Sequence, residues 1–151
     1  MRFTVAVIVM AAGWAAFHSS VRASQEPAAQ RTGSGIYPEA QAKRGETIYA
    51  KTCESCHAKD LSGADQAPSL TGKDFNAEWN DMPLSDLFER IHATMPGDAP
   101  GSLKPAEVAD VIAFMLSKGG FPAGQTELPN DLSALKQLKY AAQGVVKFRR
   151  N

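Results

Sequence analysis

The five residues Cys-Glu-Ser-Cys-His at 53–57 constrain this chain more than any other stretch. They hold its only two cysteines, three positions apart, and a histidine follows the second directly. The two thiols must therefore act on each other or on one shared group. A C-x-x-C pair can close a disulfide, form a thiol–disulfide redox couple, ligate a metal or attach a c-type haem.

The surrounding sequence discriminates among these. A disulfide between Cys53 and Cys56 would close a very small loop and stabilise little. A thioredoxin-like pair needs a βαβ pattern nearby, and no strand pattern stands out. A structural zinc site needs four ligands. Beyond the N-terminal segment only His57 and His92 accompany the cysteines, and their spacing fits no zinc finger.

The N-terminus points outward from the cell. Met1 and Arg2 precede an uncharged apolar run, Phe3 to Phe17, followed by His18 and two serines. Val21 and Ala23 then stand at the −3 and −1 positions of a small-residue cleavage site. This is the pattern of a secretory signal peptide, and the run is shorter than the roughly 20 apolar residues of a membrane anchor. We expect residues 1–23 to be removed, leaving a periplasmic chain with no membrane span. Loss of Arg2 and Arg22 leaves 14 basic against 16 acidic residues. Without a basic excess, nucleic-acid binding is excluded.

C-x-x-C-H has a mechanical logic for haem. Thiols three residues apart can reach the two vinyl-derived positions of one porphyrin, and the next residue then lies under the iron. Export agrees, because thioether attachment takes place outside the bacterial cytosol. We expect one haem c on Cys53 and Cys56, with His57 as its proximal ligand.

The chain reads as helices separated by loops, an all-α class. Ser24 to Ile36 is polar and small and reads as a flexible N-terminus. A helix starts at Pro38 and places Gly45, Ile48, Tyr49 and Thr52 on one face. No period is found from Ala58 to Asn80. A second helix carries Leu84, Leu87, Phe88, Ile91 and Met95 on one side, with Ser85 as its N-cap. The clearest helix begins at Pro105 and ends at Lys118, with Val108, Val111, Ile112, Met115 and Leu116 as an apolar stripe. A weaker helix is expected around Asp131 to Tyr140, followed by a basic end at Lys147 to Arg150. The domain spans 37–120, and 121–151 is a C-terminal extension that could wrap the domain, dock a partner or be disordered.

A low-spin carrier also needs a sixth iron ligand. Met82, Met95, Met115 and His92 are the candidates. Met115 belongs to the apolar stripe and reads as core; His92 reads as a partly exposed helical residue. Met95 continues the apolar face of its helix and enters a Pro–Gly loop able to fold over a haem face, so Met95 is the expected ligand.

These motifs, "RGETIYAKTCESCHAKDLSG", "APSLTGKDF" and "HATMPGDAPGSL" followed by "EVADVIAFML", together resemble a class I c-type cytochrome, from about Pro38 to Gly119. More finely, the chain is similar to cytochromes that accept electrons from pyrroloquinoline quinone-dependent dehydrogenases. The resemblance implies a small cytochrome c fold in which N- and C-terminal helices cross around one covalently bound haem. It implies that the carbonyl of Pro68 accepts the Nδ1–H of His57, that Trp79 reaches a haem propionate, and that Gly45 and Tyr49 meet the last helix near Phe114. Ala58 stands where such proteins often have glycine, a departure expected to be tolerated because alanine is small.

The reading is an exported mono-haem electron carrier, not an enzyme. Its expected partners are redox proteins, a periplasmic dehydrogenase as donor and an oxidase or another cytochrome as acceptor. It would act as a monomer or as a subunit of a dehydrogenase complex. The alternative is a haem protein with an open or labile sixth site, acting as a peroxidase-like enzyme or a gas sensor.

Overall fold

A computed structural model describes residues 30–65 and 67–142. The expected signal segment at 1–23 and the basic end at 147–150 lie outside the described residues. The elements run in the order β1 (Gln30–Arg31), a 3-10 turn (Thr32–Ser34), α1 (Glu39–Thr52), α2 (Glu54–His57), α3 (Gly72–Trp79), α4 (Leu84–Thr94), α5 (Pro105–Lys118), α6 (Leu132–Leu135) and β2 (Leu138–Lys139). The class is all-α, with one short parallel pairing of β1 and β2.

The frame is the crossing of α1 and α5. Every residue of α5 from Val108 to Leu116 is buried. The expected stripe is therefore a helix enclosed on all sides, as befits one whose residues are apolar nearly throughout. At the crossing, a Cβ on Gly45 would lie 1.9 Å from the Asp110 carbonyl oxygen and 3.0 Å from the Cβ of Phe114. Only glycine permits that approach. One turn on, the rings of Tyr49 and Phe114 pack with centroids 5.2 Å apart. Arg44 ties the same two helices together, its Nε and Nη2 donating to the Asp110 carboxylate at 2.9 Å each. The start of α5 is capped by Glu107, whose carboxylate accepts the Lys104 N–H at 2.8 Å.

Four elements differ from the sequence expectation. Within the segment 24–36 expected to be flexible, residues 30–36 form β1, the 3-10 turn and a buried Ile36. Polar Thr32 is buried there because its Oγ1 accepts the Ala141 N–H at 2.9 Å. The stretch expected to be loop contains α3, whose two large apolar residues, Phe75 and Trp79, are too few to show a period. Helix α4 begins at Leu84 with Pro83 as its N-cap, so Ser85 lies inside it, buried, with its hydroxyl donating to Asp86 at 3.0 Å. The helix expected over 131–140 is one turn only, capped by the Asp131 carboxylate on the Ala134 N–H. The chain then extends into β2.

Of the three fates open to the C-terminal extension, wrapping is the one observed through residue 142. Phe121, Leu128, Leu135, Leu138 and Tyr140 are all buried, each removing apolar surface worth about 1.5–3 kcal/mol. The expected boundary at 120/121 therefore does not divide the core. Buried Gln41 clamps this arm to α1 through both its amide atoms, donating to the Leu128 carbonyl at 3.0 Å and accepting the Leu128 N–H at 2.7 Å. Arg44 adds an exposed contact to Glu127.

Candidate haem site

The site is assembled where α1 ends. Cys53 caps that helix with its N–H on the Tyr49 carbonyl at 2.9 Å. The single turn of α2 follows, with His57 N–H bonded to the Cys53 carbonyl at 2.9 Å. One helical turn puts residues three apart on the same side, so Cys53 and Cys56 both line one cavity, with His57 beside them. Burial pushes the Cys53 thiol up, which disfavours the thiolate a redox couple would need.

His57 is 7% exposed, and its Nδ1 lies 2.9 Å from the Pro68 carbonyl oxygen. A carbonyl only accepts, so Nδ1 carries the proton and Nε2 keeps the lone pair that a metal requires. Pro68 is brought back to His57 by a closed loop. Within it Leu61 is fully buried, its carbonyl accepts the Leu70 N–H at 2.9 Å, and Ala64 pairs with Ala67.

That loop opens at Ala58 with φ +61 and ψ 158, a region populated almost only by glycine. Ala58 is thus a strained position, contrary to the expectation that a small side chain suffices; what matters is the Cβ, not its bulk. The strain is held by the Tyr49 hydroxyl, which donates to the Ala58 carbonyl at 2.6 Å. Ala58→Gly is expected to raise the stability of the protein by about 1 kcal/mol, read as a higher denaturant midpoint at unchanged slope.

The cavity measures about 610 Å³, within the range of about 300–1,000 Å³ typical of cofactor sites. Its walls are mostly apolar: Leu70 from the loop, Phe75 and Trp79 from α3, Leu87 and Ile91 from α4, Val111 and Met115 from α5. Met95 lines it too, at the end of α4. Helix α4 stops there because the residue before Pro96 is excluded from the α region, and Met95 takes φ −122, ψ 151. Among the described residues, no three His, Cys, Asp or Glu side chains converge on a point that could hold a bare metal ion. Two thiols, one imidazole lone pair and a large apolar volume fit a haem instead.

Met82 and His92 are not among the lining residues. Met82 is 39% exposed, and the His92 ring lies parallel to Phe88 with centroids 6.0 Å apart. Pro68 and Trp79 both line the cavity. The sequence reading missed Phe75 and Leu70 as wall residues. The pair Phe75 and Trp79, four apart, was the available signal for the first, and its rings pack at 6.0 Å.

Residues 40–115 match a family model described as cytochrome C oxidase, cbb3-type, subunit III. The chain is 30% identical over 95 residues to cytochrome c-551 of Bacillus subtilis (strain 168), covering 63% of this chain and 79% of that protein. It is 29% identical over 100 residues to the cytochrome c of Gossypium barbadense, covering 52% of this chain and 90% of that protein. Among solved structures, it is similar to a chain of the sulfane dehydrogenase SoxCD from Paracoccus pantotrophus, at TM-score 0.48 and 20% identity, covering 70% of this chain and 59% of that one. The family match takes in the attachment motif and the α1–α5 crossing. The chain belongs to this family and is a class I c-type cytochrome, an electron carrier with haem c attached through Cys53 and Cys56.

Proposed function

We propose that this cytochrome is an exported one-electron carrier in which His57 and Met95 would be the residues that hold the haem iron. The observation that carries this reading is that Met95 shares the cavity with Cys53, Cys56 and His57, whereas Met82 and His92 do not. Met115 also borders the cavity but stands in the last turn of α5, 4% exposed and packed into the core. Bound haem supplies an iron that cycles between two oxidation states.

The chain's own residues set the conditions for that cycle. The Pro68 carbonyl orients the His57 ring and raises its basicity. The Met95 thioether favours the reduced state relative to a second imidazole. Trp79, at the end of α3, borders the cavity, and in this reading it gives its indole N–H to a haem carboxylate. The apolar walls keep the site at low dielectric. A carrier of this kind needs only a small, short-lived interface with each partner.

In this reading the donor is a periplasmic dehydrogenase, by the finer resemblance a quinoprotein, and the acceptor is an oxidase or another cytochrome. Export rests on the apolar run and cleavage pattern of residues 1–23; no helix among the described residues is long and apolar enough to cross a membrane. Reduction of the purified protein by a quinoprotein dehydrogenase tests the donor.

Met95→Ala tests the ligand. The oxidised wild type should show a Met–Fe(III) charge-transfer band, and the variant should lose it while keeping its covalent haem. Its midpoint potential should fall by a fraction of the roughly 0.8 V that axial ligands span. A band that survives in the variant would remove Met95 from the iron and leave an open or differently filled sixth site.

A further inference from the structure

Through residue 142, the C-terminal arm meets the haem cavity indirectly, by way of the segment that carries its wall. Residues 139–142 are bonded to Asn76 and to residues 80–83. The Tyr140 hydroxyl donates to the Asn76 side-chain oxygen at 2.5 Å. The Tyr140 carbonyl accepts the Asp81 N–H, and its own N–H donates to the Met82 carbonyl, each at 2.9 Å. Lys139 bridges to Pro83, and the Ala142 N–H donates to the Asn80 side chain at 3.0 Å. Asp81 is held at φ +67, a conformation that L-residues rarely adopt. The Tyr140 ring stands edge-on to Phe75 at 5.7 Å and to Phe121 at 5.2 Å.

Phe75 and Trp79 form one wall of the cavity. The segment after them leads directly into α4, which ends on Met95. Tyr140 is buried, which pushes its phenol up to about 12, so Oη stays protonated and donates across the neutral range. Nothing in the α1–α5 frame makes these contacts; they belong to residues 139–142.

We propose that Tyr140 is a positioning residue for the haem site: through Asn76 and Phe75 it braces the Phe75–Trp79 wall, and so residues 139–142 tune the reduction potential of a haem whose cavity they do not line. This rests on the reading of the cavity as the haem site. The physical link is hydration. A wall that loosens admits water, water stabilises the charged oxidised site over the reduced one, and the potential falls.

The test uses the full-length holoprotein and the variants Tyr140→Phe, Asn76→Ala and the two combined. Gln41→Ala serves as the comparison, because it releases the same arm at Leu128, outside the cavity. Tyr140→Phe should lower the midpoint potential and speed amide exchange across Asn80–Met82 roughly tenfold, the loss of one buried hydrogen bond. Asn76→Ala should do the same, and the combined variant no more than either alone. Gln41→Ala should lower thermal stability and leave the potential in place. The proposal is overturned if either readout stays unmoved in Tyr140→Phe, or if Gln41→Ala lowers the potential equally. A wild type without the Met–iron band counts against Met95 as ligand only; amide exchange reads the brace regardless of what fills the sixth site.

Discussion

Gly45→Val is expected to cost the protein about 3 kcal/mol or more, and to lower its melting temperature by roughly 10 °C or more. The first carbon of any side chain at this position falls 1.9 Å from the Asp110 carbonyl oxygen. Both are main-chain positions in the middle of helices, so no rotamer change relieves the clash, and α1 must lift away from α5. The consequences run further than packing. Helix α1 delivers Cys53, and α5 carries Val111 and Met115 into the cavity, so separating them pulls the attachment turn off the apolar wall. Gly45→Ala should show the same effect at smaller size. A Gly45→Val protein melting within a few degrees of wild type would show that the crossing is not the frame of the fold.

The second large effect concerns the thiols. Cys53→Ala combined with Cys56→Ala leaves haem with no covalent hold. Without its occupant, the mostly apolar lining of a cavity of about 610 Å³ is left to water, a large loss for a domain whose total stability is roughly 5–15 kcal/mol. The doubly substituted chain should therefore lose its helical circular dichroism and accumulate at least several-fold less. Each single substitution keeps one thioether and should fold with intermediate stability. If the double variant kept wild-type helicity and melting temperature without haem, the cavity would not be a cofactor site on which folding depends.

How far the sequence could be read follows from the range of the interactions involved. The attachment turn is local: two thiols, one imidazole and one helical turn are all spelled out within five residues. Helices α1, α4 and α5 are nearly as legible, because each repeats apolar residues at helical spacing and is bounded by proline. Met95 could be placed at the end of α4 because it continues that helix's apolar face and Pro96 stops the helix there. Pro68 could be placed only by family resemblance; the hydrogen bond to His57 depends on a loop closed by Leu61 and Leu70, which no period announces.

The less legible parts depend on distant partners. Leu132, Leu135 and Leu138 are spaced three apart and suggest one continuous helix. The chain leaves the helix after Leu135 because Leu138 and Tyr140 are buried on alternate positions beside the 80–83 segment, and Gln30 and Arg31 pair with Leu138 and Lys139 from the other end of the chain. Thr32 looked like a solvated residue of a polar tail, yet it is buried by bonds to Ala141, 109 positions away. Ala58 misled for a different reason. Its size suits the site, while its φ of +61 does not, and a backbone angle is invisible in a residue's volume.

The central claim is that Cys53 and Cys56 are thioether links to one haem, with no redox role of their own. A pyridine haemochrome assay on the purified protein measures this directly. The expected result is one haem per chain with both vinyl groups saturated, resistant to acid–acetone extraction. A protein that contains no haem, or one that releases haem with its vinyl groups intact, would contradict the account.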